Sequence, residues 1–271
     1  MDGRQPAALR LGEILVLQSL TEKILRLYPL PAREISAVYE DLELPPPGRR
    51  DGSRPYVIVN MVSSVDGRSA VGGRSFSIGS EADRQTMRTL RSKADAVMVG
   101  AGTLRAERLS LGLDDPCGPQ PLAVIVGGSR EIPLERNLIV AEGQEVLVIT
   151  REEVPVRPGE HRLLRLSDLC ADGSGNLDIS EALGVLKARY AVDLLLVEGG
   201  PTLNYSLISN HLADELYLTV APKLLGGAPG ESLAFLNGPI LTPSDLTLLS
   251  VHLAGDELFL RYRTLSTPET A

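Results

Sequence analysis

The sequence predicts an α/β fold: a mixed, mainly parallel sheet with helices on both faces and a C-terminal antiparallel hairpin. Three observations carry this. Ala96-Val97-Met98-Val99, residues 122–126, residues 146–149 and Leu194–Val197 are short apolar runs, each ending near a glycine or polar residue. That is the pattern of strands buried on both faces. Helical stretches lie between them, Ile179–Tyr190 the clearest, and such alternation builds parallel sheets that bind ligands at their carboxyl edge. Finally, residues 246–253 and 257–263 flank Ala254-Gly255-Asp256 as two strands around a tight turn.

Taken in order, residues 1–54 read as an N-terminal helical extension and linker, and residues 55–271 as the main domain. Leu11, Ile14, Leu15, Ile24 and Leu25 recur at roughly helical spacing, which predicts one amphipathic helix. Pro45-Pro46-Pro47-Gly48 and the charged stretch to Arg54 predict a linker. Tyr56-Val57-Ile58-Val59 opens the first strand. Residues 80–92 then form a helix, with Ser80 as N-cap and Asp83 three residues on in a box-like position.

Composition narrows the function classes. The 271 residues carry a net charge of −8, which argues against broad contact with nucleic-acid backbone. Aromatics are scarce, with no Trp and three Phe, so the core rests on Leu, Val, Ile and Ala. Two cysteines and three scattered histidines offer neither a disulfide framework nor metal-ligand spacing, and no metal site is expected. No apolar run is long enough to span a bilayer and no secretory h-region opens the chain, so no membrane partner and a cytoplasmic location are expected.

Four strand ends are candidates for chemistry. In Gly100-Ala101-Gly102-Thr103, a buried strand runs into glycines that admit a ligand to the backbone, and the Thr hydroxyl suits a phosphate. A tight strand-to-helix turn explains the same residues. In Gly127-Gly128-Ser129-Arg130, a hydroxyl and a guanidinium suit the 2′-phosphate of NADP where an NAD site places a carboxylate; the alternative is a turn with an exposed Arg. In Glu198-Gly199-Gly200-Pro201-Thr202-Leu203, a carboxylate at the end of an apolar strand precedes a helix opened by proline. Glu198 there either accepts from N–H donors of a pyrimidine ring or simply caps. In Ser64-Val65-Asp66-Gly67, Asp66 either points at the substrate and the proton-transfer region or closes an Asx-type turn. Together the glycine-bearing ends outline a dinucleotide cleft. No G-x-S-x-G elbow and no H-x-E with P-C-x-x-C occurs, so hydride transfer is the expected chemistry.

The same segments carry a resemblance. Ser63-Ser64-Val65-Asp66-Gly67-Arg68, Gly100 through Glu107, Val197 through Thr202, and Ala221-Pro222-Lys223-Leu224-Leu225-Gly226-Gly227 resemble the reductase domain of the RibD riboflavin-biosynthesis family, in its stand-alone form. The resemblance implies a dihydrofolate reductase-like three-layer fold, NADPH as hydride donor and a homodimer. It implies cofactor contacts at Val62, Ser77, Thr103, Glu107, Ser129 and residues 200–206, and substrate contacts at Ser75, Arg91, Leu111 and Glu198. Asn60 and Asp114 depart from the bifunctional members, which often have Lys and Arg there; either Arg108, Arg105 or Arg74 takes the substrate phosphate, or the substrate is not the usual one. The implied reaction reduces 5-amino-6-(5-phosphoribosylamino)uracil to its ribitylamino product. Glu198 is expected on the pyrimidine, Arg91 on the polar end of the substrate, and Asp66 as the orienting or proton-guiding acid. A pterin- or folate-type reductase on the same scaffold, and a non-catalytic NADPH-binding sensor, are the alternatives.

Overall fold

The computed structural model describes residues 23–45, 52–70, 75, 77–106, 109–115, 118–127, 132–134, 138–139, 144–150, 156–157, 163–166, 177–227, 234–239 and 244–264. The strands are β1 (Ile24–Tyr28), β2 (Arg33–Ile35), β3 (Tyr56–Ser64), β4 (Ala96–Gly100), β5 (Leu109–Ser110), β6 (Leu122–Gly127), β7 (Ile132–Pro133), β8 (Leu138–Ile139), β9 (Val146–Thr150), β10 (Val156–Arg157), β11 (Leu163–Leu166), β12 (Leu194–Val197), β13 (Glu215–Ala221), β14 (Leu246–Ala254) and β15 (Glu257–Thr264). The helices are α1 (Glu81–Arg91), α2 (Ala101–Ala106), α3 (Ile179–Tyr190) and α4 (Pro201–Ser209).

One 11-stranded sheet runs β11-β9-β6-β4-β12-β3-β13-β15-β14-β1-β2. From β11 to β13 every pairing is parallel, and from β13 to β2 every pairing is antiparallel. The carboxyl ends of β3, β4, β12 and β13 therefore share one edge. Residues on β3 alternate between two cores, as the period of two requires. Ile58 joins Leu196, Val97, Tyr217 and Leu90 of α1 on one face. Val57 and Val59 join Leu195, Val197 and Leu216 with Leu183 and Leu186 of α3 and Leu203 and Leu207 of α4 on the other. The mainly parallel sheet with helices on both faces is thus as expected. Among the described residues no helix is long and apolar enough to cross a membrane.

Two expectations change. Residues 24–28 are not helical: β1 pairs antiparallel with β14, Ile24 opposite Ala254 and Arg26 opposite His252, and β2 pairs with β1. Residues 1–22 and 46–51 lie outside the described residues. The segment 23–45 is part of the domain, since Val38 and Tyr39 are buried in its core. An edge-on ring contact, 4.8 Å between centroids, sets Tyr39 against His252. The C-terminal hairpin forms as read, with Gly255 at φ +57° in its turn, and it lies within the sheet between β13 and β1.

The helix starts are locally encoded. Ser80 caps α1 by accepting from the Ala82 amide, and Asp178 caps α3 by accepting from the Ser180 and Glu181 amides. The partner of Ser80 is not Asp83. Glu257 accepts the Ser80 amide at 2.9 Å and its hydroxyl as well, tying α1 to the turn between β14 and β15.

Candidate active site

The carboxyl ends of β4 and β12 meet backbone to backbone. The Glu198 amide donates to the Met98 carbonyl at 2.9 Å, and the Gly100 amide donates to the Gly199 carbonyl at 2.7 Å. This close approach explains Gly199 and Gly200. A Cβ on Gly200 would lie 2.7 Å from Thr103 Oγ1, and one on Gly199, at φ +87°, would lie 3.0 Å from Met61 Sδ. Gly100, Thr103 and Gly199 through Leu203 are thereby assembled into one backbone-lined corner, where α4 begins with Pro201 at its N-terminus. Gly102 sits in the first turn of α2, where a Cβ would come no closer than 4.0 Å to Arg105 Nη2.

Beside that corner α1 delivers Arg91 to Glu198. Arg91 Nε donates to Oε1 at 2.7 Å and Nη2 to Oε2 at 2.6 Å, while Nη1 donates to the Gly112 carbonyl at 3.1 Å. The two side chains are only 7% and 11% exposed. Burial pulls the Arg91 pKa down, but the Glu198 charge outweighs it and holds the guanidinium above its ordinary value. The two residues expected at the substrate are therefore brought together as a bidentate, charge-assisted pair. The guanidinium fixes the plane of the carboxylate.

Asp66 is bonded into the backbone at this edge of the sheet. Its carboxylate accepts from Ser64 Oγ at 2.5 Å, from the Leu225 amide at 3.1 Å and from the Gly226 amide at 2.8 Å. These bonds, that of Ser64 first, lower its pKa to about 2. A carboxylate held ionised in this way carries no proton of its own near neutral pH. Asp66 clips the turn after β3 to the loop after β13.

Leu111 is fully buried in the core, beside Gly112, whose carbonyl accepts from Arg91. Asp114 pairs with Arg88 at 2.8 Å on the exposed side of α1. Val62 is half-buried near the carboxyl end of β3. Ser75 and Ser77 lie ahead of α1, and the Ser77 and Ile78 carbonyls accept from Lys223 Nζ at 2.8 and 2.6 Å. Arg74, Glu107, Arg108, Ser129 and Arg130 lie outside the described residues. Among the described residues no group of three His, Cys, Asp or Glu could hold a metal.

Asp83, read from the sequence only as part of a cap, is half-buried on α1 and meets Thr219 of β13. Burial raises its pKa to about 6, against a hydrogen bond from Thr219 and with the Glu257 charge adding to the rise. Its signal in the sequence was spacing: Asp83, Met87 and Arg91 fall four residues apart along one helix face.

Residues 55–259 match the RibD C-terminal domain. The chain belongs to that family. A 2,5-diamino-6-ribosylamino-4(3H)-pyrimidinone 5′-phosphate reductase of Methanothermobacter thermautotrophicus is 29% identical over 214 residues, covering 77% of this chain and 98% of the relative. The reductase of the same name from Archaeoglobus fulgidus is 32% identical over 187 residues, covering 64% and 83%. Among solved structures, RibD of Acinetobacter baumannii (form 1) superposes with a TM-score of 0.62 at 25% identity, over 79% of this chain and 59% of that one. Coverage divides the two kinds of relative: the chain accounts for nearly all of the first reductase but only about three-fifths of RibD.

Proposed function

We propose that this protein is an NADPH-dependent reductase of a phosphorylated 6-ribosylaminopyrimidine, converting the ribosylamino to the ribitylamino group in riboflavin biosynthesis. The observation that carries the reading is the buried Arg91–Glu198 pair at the carboxyl edge, set against the backbone corner of Gly100, Thr103 and Gly199–Gly200. Glu198 accepts from N–H donors of the pyrimidine, and Arg91 holds the carboxylate in the plane of the ring. Thr103 and the start of α4 fit a dinucleotide phosphate, because Gly199 and Gly200 leave no room for side chains there and the first turn of α4 presents backbone amides. Ser129 and Arg130 are proposed for the 2′-phosphate. Ser75, Val62 and Ser77 complete the cleft at the end of β3 and the start of α1.

When bound, NADPH supplies the hydride. The chain's part is to position the ring-opened imine of the substrate with C1′ at attack distance and to exclude water, an effect worth up to roughly 7–11 kcal/mol in favourable cases. Two substrates share this chemistry and differ at ring position 2. One is 5-amino-6-(5-phosphoribosylamino)uracil, implied by the sequence resemblance; the other is the 2-amino compound in the names of the archaeal relatives. We further propose that the enzyme is cytoplasmic and works as a homodimer.

The test follows nicotinamide absorbance with the uracil and the 2-amino pyrimidinone in separate cuvettes and dihydrofolate in a third. Oxidation with either ribosylaminopyrimidine and none with dihydrofolate is the expected result. Oxidation with dihydrofolate alone would overturn the substrate, and silence in all three would overturn the enzyme.

A further inference from the structure

The reduction proposed above consumes one proton, and Asp66 is not built to give it. α1 crosses the sheet face from β13 and β15 to β12. At one end Arg91 grips Glu198, and at the other Asp83 meets Thr219 of β13. In register, Val197 pairs with Val59, and Tyr217 and Thr219 pair with Asn60 and Val62. Glu198 and Thr219 therefore lie two strands and two residues apart, about 12 Å at normal sheet spacings. The rise of α1 from Asp83 to Arg91 is likewise about 12 Å. Between the two carboxylates the floor is made by Asn60 and Val62, both half-buried. One six-membered ring with its exocyclic nitrogen fills such a trough, with its N–H edge on Glu198 and its ribosyl nitrogen toward Asp83.

Asp83 is not needed as a helix cap. Glu257 takes the Ser80 amide and Ser80 Oγ takes the Ala82 amide. Its carboxylate also occupies room that only a glycine leaves open, since a Cβ on Gly79 would lie 2.1 Å from Asp83 Oδ2. We propose that Asp83 is the proton donor of this reaction, a role that rests on the reductase reading above. As hydride reaches C1′ of the imine, the π pair of the C=N bond takes the proton of the Asp83 carboxyl. A C–H bond and an N–H bond form, the double bond becomes single, and the carboxylate recovers a proton from solvent.

The groups that face Asp83 set its titration. They are Glu257 from β15, Glu198 from β12, Thr219 from β13, Arg84 on its own helix and the Tyr39 hydroxyl from the segment after β2. An acid that titrates at about 6 is protonated often enough to act near neutral pH.

The experiment compares the pH dependence of kcat for the wild type, Asp83→Asn and Thr219→Val, together with carbon-13 NMR of aspartate carboxyls in the unliganded protein. The wild type should lose rate as pH rises through about 6, and the carboxyl resonance missing from Asp83→Asn should titrate there. Asp83→Asn should lose about a hundredfold in kcat and that limb of the profile, with KM for the pyrimidine and Kd for NADPH within about threefold of wild type. Thr219→Val removes a hydrogen bond that favours the ionised form, so its limb should move to higher pH. An active wild type beside an Asp83→Asn enzyme of unchanged kcat and profile overturns the role of Asp83 alone. So does a limb that stays in place in Thr219→Val. A wild type inactive with both pyrimidines overturns the reductase reading itself, and the role of Asp83 with it.

Discussion

Replacing Arg91 with Met removes the charge but keeps much of the side-chain volume, and it strands the Glu198 carboxylate. The two side chains are 7% and 11% exposed, so solvent screens little of their interaction. Breaking a buried pair from one side costs about 3–5 kcal/mol, because the remaining charge has lost its partner. For a domain of this size that corresponds to a melting temperature lower by about 6–20 °C. Replacing both residues with Met removes the stranded charge, so the double variant should be no less stable than Arg91→Met and should recover much of the loss. The chain has no tryptophan, so unfolding is best followed by far-UV circular dichroism in a four-member cycle. Additive losses, within about 0.5 kcal/mol, would mean that the pair does not act as a unit and would refute the reasoning. Glu198→Gln keeps the shape and one acceptor, and it should reduce kcat/KM far more than it reduces NADPH affinity. Equal loss of both would move Glu198 from the pyrimidine to the cofactor.

Three other outcomes follow from the geometry. Glu215 is fully buried and accepts from Arg261 at 2.8 and 2.9 Å and from the Tyr56 and Tyr217 hydroxyls at 2.9 Å each. Glu215→Ala should cost about 3–5 kcal/mol in chemical denaturation, with Arg261→Met in the same chain restoring part of it. His252 is buried, and burial lowers its pKa to about 4 despite the nearby charge of Asp41. The unfolded chain therefore takes up the proton first as pH falls through 6.5. Up to about 3 kcal/mol of stability is lost between pH 6.5 and 4, a slope that His252→Phe should flatten in melts across that range. Gly200→Ala pushes a methyl group to 2.7 Å from Thr103 Oγ1. NADPH affinity measured by fluorescence titration should fall about tenfold or more, while Thr103→Ala in the same chain relieves the clash.

What was legible in the sequence was what neighbours in the chain decide. Val97 through Val99 and Leu194 through Val197 had no polar residue to turn toward water, so only a strand buried on both faces suited them. Ser80 announced its helix through a short-range capping bond. Ile24 and Leu25 misled because adjacent apolar residues fit either period, and what made them a strand was β14, more than 200 residues away. The site divided along the same line. The glycines were visible because close backbone approach leaves one residue type. The pairing of Arg91 with Glu198, the surplus of Asp83 as a cap and the service of Asp66 to the 225–226 amides all depend on contacts between distant segments.

The position of β1 and β2 outside β14 bears on how the chain can be shortened. Starting it at Pro55, where the composition suggests a clean boundary, would bare the end of β14 that β1 covers, Val251 to Ala254, with the backbone groups that now pair with β1. Such a strand is a template for another copy of itself. The natural border is the three-residue β2, short and bearing the exposed charges of Arg33 and Glu34, which gives an incoming strand little to grip. The extension thus acts as a selvedge on the sheet. A chain trimmed of it would bare that edge to self-association and would also lose Val38 and Tyr39 from the core that Leu90 of α1, Tyr217 and Phe259 share.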